Sequence, residues 1–242
     1  MNTRHHLLAA AVSAALLLAT PAAFAQDVSK VMGSIDVEAS QSAGDLDTVN
    51  GRISVGPGAT AGDAATVNGR IEVADGARVG SVETVNGRIE LGHDVHSGSL
   101  ETVNGRVRTG ERAQVSGSVE TVNGSIFIDR GSRVDGDIES VNGAVGIVAT
   151  EVTGDVELVN GDLTVGVDSH VRGGVRYSKS RSNFSLGKRR IPHVIIGPNA
   201  RVDGPLVFEH EVELHVHESA TIGPVTGATA QPYSGDRAPR RD

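Results

Sequence analysis

The chain has 242 residues, with 22 basic against 30 acidic side chains and a formal net charge of −8. It contains 31 glycines, four Phe, two Tyr, no Trp and no cysteine. The acidic balance argues against nucleic acid as a partner, and the absence of cysteine excludes disulfides and a lipoprotein anchor. So few aromatic residues argue against an ordinary compact core, which draws much of its buried area from them.

In chain order, residues 1–25 read as a secretory signal peptide: Arg4, an apolar run from Leu7 to Ala19, and Ala23-Phe24-Ala25 as an A-x-A cleavage site. The apolar run is too short to span a bilayer. A periplasmic or secreted mature chain with no transmembrane segment is therefore expected. Removing Arg4 with that peptide leaves 21 basic and 30 acidic residues, a net charge of 21 − 30 = −9.

Val31 to Val37 is a first partial repeat with Met32 in the position later taken by Asn. From there Val-Asn-Gly recurs seven times, at Asn50, Asn68, Asn86, Asn104, Asn123, Asn142 and Asn160, spaced 18, 18, 18, 19, 19 and 18 residues. Such a period decides architecture before any other signal. Aligned on Asn, an aliphatic column precedes it (Leu46, Ala64, Val82, Leu100, Val119, Ile138, Val156) and two follow it, beginning Ile53, Ile71, Ile89 and Val55, Val73, Leu91. A fourth includes Ala61, Val79, Val115, Val134 and Val171. Each period thus holds three short strands. Segments from Val194 to Gly204 and Leu214 to Gly223 fit the same frame, giving about ten coils.

Asn-Gly between apolar runs also closes β-hairpins. A hairpin in SVETVNGRIELG, however, sets Glu83 opposite Glu90 and leaves a third strand without a partner. Parallel coils stack every aliphatic column on itself and let each Asn hydrogen-bond to the next, as stacked sheets do. The expected fold is therefore all-β: a three-sided parallel β-helix over residues 26–225, right-handed by the general crossover preference. The Asn ladder is read as structural, with Gly beside it for a corner of positive φ. Phe127 is expected to point outward between Ile126 and Ile128, and Phe208 is the one aromatic expected inside. A basic insertion at 176–190 interrupts the frame and holds Arg176, Lys179, Arg181, Lys188, Arg189 and Arg190, with Tyr177 and Phe184. Residues 226–242 are expected to be a disordered tail.

Two families resemble these residues. Repeats such as Glu83 to Glu90, Glu101 to Arg108 and Glu120 to Phe127 look like those of the bacterial putative-adhesin β-strand-repeat family. The wider frame, above all Ile195 to Gly204, resembles bactofilins, polymer-forming cytoskeletal proteins; that resemblance implies a right-handed β-helix that polymerises end to end. The export signal and the basic insertion depart from the bactofilin pattern. A six-residue recurrence (Val67, Val73, Val79, Val85, Leu91) is similar to left-handed hexapeptide acyltransferases, but the 19-residue coils break it.

For chemistry, Glu83, Glu101, Glu120, Glu139 and Glu157 form an acidic column, to be offset by salt, by divalent cations or by the column Arg52, Arg70, Arg88 and Arg106. It reads as a solvated face or, more sharply, as a cation- or partner-binding stripe. The basic insertion suits an anionic envelope component such as lipid headgroups or acidic glycan. His210, His215 and His217 have Glu209, Glu211, Glu213 and Glu218 close by but no convincing third ligand or second shell, so they read as surface histidines; the spacing of His210 and His215 is faintly similar to solenoid carbonic anhydrases. There is no nucleophile elbow, phosphate loop or cysteine-based metal site, so no catalytic, cofactor or metal residue is assigned. The expectation is a non-enzymatic structural or interaction module of the bacterial envelope, self-associating through its terminal coils. The alternative is an adhesin-like binder using charged faces and the basic loop, and a hexapeptide-type enzyme comes third.

Overall fold

The structure, a computed structural model, describes residues 25–179, 190–235 and 237–238. Its described residues form strands and turns, and no helix among them is long and apolar enough to cross a membrane. The strands assemble into three parallel sheets of eleven, eleven and seven members. Isolated bridges through Ser42, Thr60 and Arg78 extend the third sheet to earlier coils. The chain is a β-solenoid of about eleven turns, roughly 48 Å long at the usual strand spacing. Every neighbour in a sheet is the equivalent strand of an adjacent coil, so the hairpin reading of Asn-Gly is excluded.

The alternation within each strand explains why these residues fold this way. In the first sheet, strand Leu100–Asn104 buries Leu100 and Thr102 and exposes Glu101, Val103 and Asn104. In the second, Ile126 and Ile128 are buried on either side of Phe127, whose outward ring lies beneath the guanidinium of Arg108 at 5.4 Å. The third supplies Val115, Val134, Val152 and Val171. Because equivalent residues stack in register, each core column is continuous along the axis. A parallel sheet needs its inner face fully covered, and here the three sheets cover one another.

The Val-Asn-Gly corner works through three contacts. Each Asn donates its Nδ2 to the Oδ1 of the Asn one coil before it, at 2.9–3.1 Å, from Asn68 through Asn160. Thr48, Thr66, Thr84 and Thr102 point inward and donate to the carbonyls of Gly33, Gly51, Gly69 and Gly87 at 3.2 Å. The glycines themselves are required for space. Their expected positive φ occurs only at the two ends of the column, Gly33 (107°) and Gly161 (140°). In between, a Cβ on Gly69, Gly87, Gly105, Gly124 or Gly143 would overlap the carbonyl oxygen of the glycine one coil before it. The left-handed corner instead lies between the second and third sheets, where Gly58, Gly76, Asp94, Arg112, Gly131, Ala149, Asp168 and Asn199 share φ of 42–72°. Its sequence varies, so no repeat marked it.

Three further expectations change. Tyr177 was assigned to the insertion, but strand Val175–Tyr177 belongs to the first sheet and the Tyr177 ring is wholly buried. Its hydroxyl donates to the Gly161 carbonyl at 3.0 Å, and its ring packs on Phe208 at 5.6 Å. The inward column that carries Thr or Ser in earlier coils becomes Leu158, Tyr177 and Phe208 in register. The solenoid thus accepts two aromatics where the Asn-Gly corner has gone. The tail is also shorter than expected. Strand Ala230–Tyr233 pairs with Glu213–His217, because Leu214 and its neighbours still offer a free sheet edge. Finally, the coils number about eleven, with Val28–Met32 opening the first sheet and Met32 level with Asn50. The expected signal peptide, except Ala25, lies outside the described residues, as do Arg181, Phe184, Lys188 and Arg189.

The glycine column gives a direct check on stacking. Gly105→Ala should lower unfolding free energy by about 3 kcal/mol, an overpacking cost against rigid backbone. Gly146→Ala meets only the Phe127 ring at an ordinary 3.5 Å and should stay within about 0.5 kcal/mol of the parent. Urea melts of the two variants decide this, and equal stabilities would contradict the close coil-to-coil approach.

Candidate functional site

The outward positions of the first sheet carry two parallel columns. One runs Asp47, Ala65, Glu83, Glu101, Glu120, Glu139 and Glu157, in register from coil to coil. The other runs Val49, Val67, Val85, Val103, Val122 and Val141, each 38–40% exposed. Together they line an open trough from Ser29 to Val141. Seven strands contribute, so it extends about 29 Å along the axis. The strand pattern produces both columns at once: burying the aliphatic residue and the Thr of each Leu-Glu-Thr-Val unit turns Glu and Val outward together. Only the charged column was anticipated. The valines sit in every Val-Asn-Gly and could have been found by continuing the alternation one residue further.

The electrostatics separate this column from other acids. Arg112 meets both Asp94 oxygens at 2.7 Å, and Arg133 and Arg172 flank Glu151. These guanidiniums hold Asp94 and Glu151 below the usual carboxylate range. Glu83, Glu101, Glu120 and Glu139 form no ion pair or hydrogen bond among the described residues. Partial burial, and then the like charges of neighbouring rungs and Asp137, push Glu120 and Glu139 above their usual value. The expected offset by the arginine column is corrected here. Arg52 pairs with Asp36, Arg70 with Glu72 and Arg88 with Glu90, all on the second sheet, because each Arg follows the corner and turns with the next strand. Glu157 alone finds a cation in its own column, Arg176 at 3.3 Å.

The basic insertion is only partly described. Arg176 is held by Glu157, the Lys179 amide donates to Glu209 at 3.0 Å, and Arg190 pairs with Asp162 at 2.9 Å. Among the described residues, the guanidiniums of Arg176 and Arg190 are therefore each paired with a neighbouring acid, while Lys179 is held through its backbone amide.

The three histidines singled out in the sequence do not converge. His210 packs its ring edge-on against Tyr177 at 5.7 Å and contacts the Val159 and Glu211 carbonyls. His217 is buried between Ser219, at 2.8 Å, and the Tyr233 ring. His215 lies beside His193, a residue that sequence reasoning left aside, with ring centroids 4.7 Å apart. Burial and the neighbouring His193 hold the His215 pKa below the usual value. His193 sits in the preceding coil, 22 residues upstream, so only the coil register could have revealed it. Comparison of the chain with protein families, curated proteins and solved structures finds no match.

The acidic column yields a pH prediction. Glu120 and Glu139 are raised in the folded chain, so their ionised forms oppose folding; the penalty grows as pH rises through their folded values and vanishes in acid. Glu120→Gln/Glu139→Gln should melt a few degrees higher than the parent at pH 7. The gap should close below about pH 4, where ordinary glutamates are protonated. A variant that melts at or below the parent at pH 7 would contradict the repulsion.

Proposed function

We propose that this chain is an exported, non-enzymatic interaction module of the bacterial envelope, which docks a cationic amphipathic segment of another protein along the trough of its first sheet. The observation that carries this is the pairing of four unneutralised glutamates in a column with a parallel column of six partly exposed valines. Monomeric proteins seldom leave a long apolar stripe rimmed by polar residues unless something binds there. A divalent cation would satisfy the glutamates and ignore the valines. An α-helix satisfies both: its pitch of about 5.4 Å comes close to the coil spacing of about 4.8 Å. Lys or Arg on one edge and Leu or Val on the next would meet successive rungs of each column.

A non-enzymatic reading is supported by the site's chemistry. The trough is lined by Ser, Lys, Asp, Glu, Thr, Ala and Val, without histidine, and the hydroxyls of Thr48, Thr66, Thr84 and Thr102 are turned inward to glycine carbonyls. An open, wet face offers little to exclude water or orient a substrate. Export rests on the sequence signal at residues 1–25, and the repeats' resemblance to bactofilins and putative adhesins agrees with an architectural rather than catalytic role. Self-association has one observation in its favour. At the first edge strand, Val31 and Met32 are 71% and 79% exposed, beside backbone groups that another copy could pair.

A Leu/Lys amphipathic helical peptide is the test probe, with binding followed by fluorescence anisotropy. Binding should weaken with salt and fall roughly tenfold in Glu101→Gln/Glu120→Gln/Glu139→Gln, the sum of several exposed charge pairs. Val103→Thr/Val122→Thr should also weaken it, which purely electrostatic attraction would not show. Wild-type affinity in both variants would overturn the trough as the docking face. Filaments in micrographs of the same sample, in place of single rods, would favour end-to-end assembly instead.

A further inference from the structure

Beyond the trough, on the second sheet near the C-terminal end, His193, Glu213 and His215 meet. They come from adjacent parallel strands, His193–Ile196 and Glu213–His217. His193 is level with Glu213, and Ile195 with His215, so the two histidines are diagonal neighbours. Val194, Ile196 and Leu214 fill the core, and the intervening His193, Glu213 and His215 therefore share the outer face. One donor atom from each lies within 4.8 Å of the other two. The main chain beneath them is fixed on both sides: the His193 amide donates to Asp162 at 2.9 Å, and the Glu213 amide to the Pro192 carbonyl at 2.9 Å.

One detail points to a ligand. His193 is only 7% exposed, and its Nε2 is buried with no hydrogen-bond partner among the described residues. Buried imidazole nitrogens are ordinarily paired, and His215 presents its ring at 85° to His193 without supplying that bond. Histidines elsewhere in the chain are served differently: His170 contacts Asp203 at 2.8 Å, and His217 contacts Ser219.

From this geometry we infer that His193, Glu213 and His215 form a binding site for a divalent transition metal of the zinc class. Two imidazoles and one carboxylate are a set that zinc takes, with its fourth position left to solvent. In such a site donor atoms stand about 3.3 Å apart around bonds of about 2.0–2.1 Å. Closing from the present separation takes side-chain rotation at half-buried Glu213 and His215, with the backbone held by the sheet. The hard cations calcium and magnesium prefer all-oxygen ligands and fit poorly. Bound there, the metal would cross-link two successive coils immediately after the interruption of the repeat, where the Asn ladder has ended at Asn160.

The experiment uses the full, untagged chain stripped with a chelator and titrated with Zn²⁺, and then with Co²⁺ as a spectroscopic probe. The expected result is one equivalent of zinc per chain at this site, a rise in melting temperature on binding, and the visible bands of four-coordinate cobalt. His215→Gln and Glu213→Gln, both on the outer face, should keep the parent's β-sheet circular dichroism. Each should weaken zinc binding by roughly tenfold or more and abolish the cobalt bands, since even supporting groups of metal ligands are worth about 10–100-fold. His93→Gln/His96→Gln and His210→Gln should leave both signals unchanged. Binding that is absent in the parent, or that survives at full affinity in folded His215→Gln and Glu213→Gln, would overturn the site.

Discussion

Each coil of this protein rests on an equivalent coil at a distance that only glycine permits at the corner. The carbonyl of one Gly occupies the space where a side chain of the next would begin. That approach brings the Thr hydroxyl within reach of the same carbonyl and sets successive Asn amides at hydrogen-bonding distance. One constraint thus explains a whole tetrapeptide. Thr fills the inside of the corner and Asn bonds along the axis, Gly makes room, and Val is left outside. The Asn bonds are solvent-exposed and individually modest, on the order of 1 kcal/mol net. Their weight lies in fixing register, because a slip of one residue would break every rung and turn the aliphatic columns outward.

The same register governs the surface. A solenoid cannot vary one rung without regard to its neighbours, so any outward residue type that repeats becomes a stripe. Glutamate in such a stripe is partly desolvated and self-repelling, and the raised affinity of Glu120 and Glu139 for protons expresses burial first and repulsion second. The arginines that would relieve it lie past the corner, and Arg52, Arg70 and Arg88 are committed to acids on the second sheet. The interaction role proposed for the first sheet rests on this residual frustration. The chain retains four unneutralised carboxylates in a row beside an exposed row of valines, on the face where its repeats are most regular.

Much of this was legible from residue spacing. The aliphatic columns, the parallel coil, the Asn ladder, the outward Phe127 and the stacked glutamates all follow from one period and strict alternation. What stayed hidden depends on residues that do not repeat. The left-handed corner is filled by Gly, Asp, Arg, Ala and Asn in different coils, because there the backbone, and no side chain, carries the shape. A second ladder, in which Asp45, Asp63, Asp137 and Asp155 accept amide hydrogens from the following coil, is shared with Ser118 and so leaves only a broken signature. Tyr177 looked like loop because no Asn-Gly follows it, although its alternation with Val175 marked it as core. His193 was invisible as a neighbour of His215 until the insertion between coils was bridged.

The parallel, in-register climb can be read as a ruler. Because the chain has no native cysteine, pairs of spin labels can be placed on the exposed valines without interference, and electron–electron distances measured. Val49→Cys paired with Val122→Cys spans four coils, and Val49→Cys with Val141→Cys spans five. Backbone separations of about 19 Å and 24 Å are expected, a step of about 4.8 Å for each repeat. Distances that fail to lengthen by one strand spacing per repeat, or that shorten between these two pairs, would contradict the stacked-coil account.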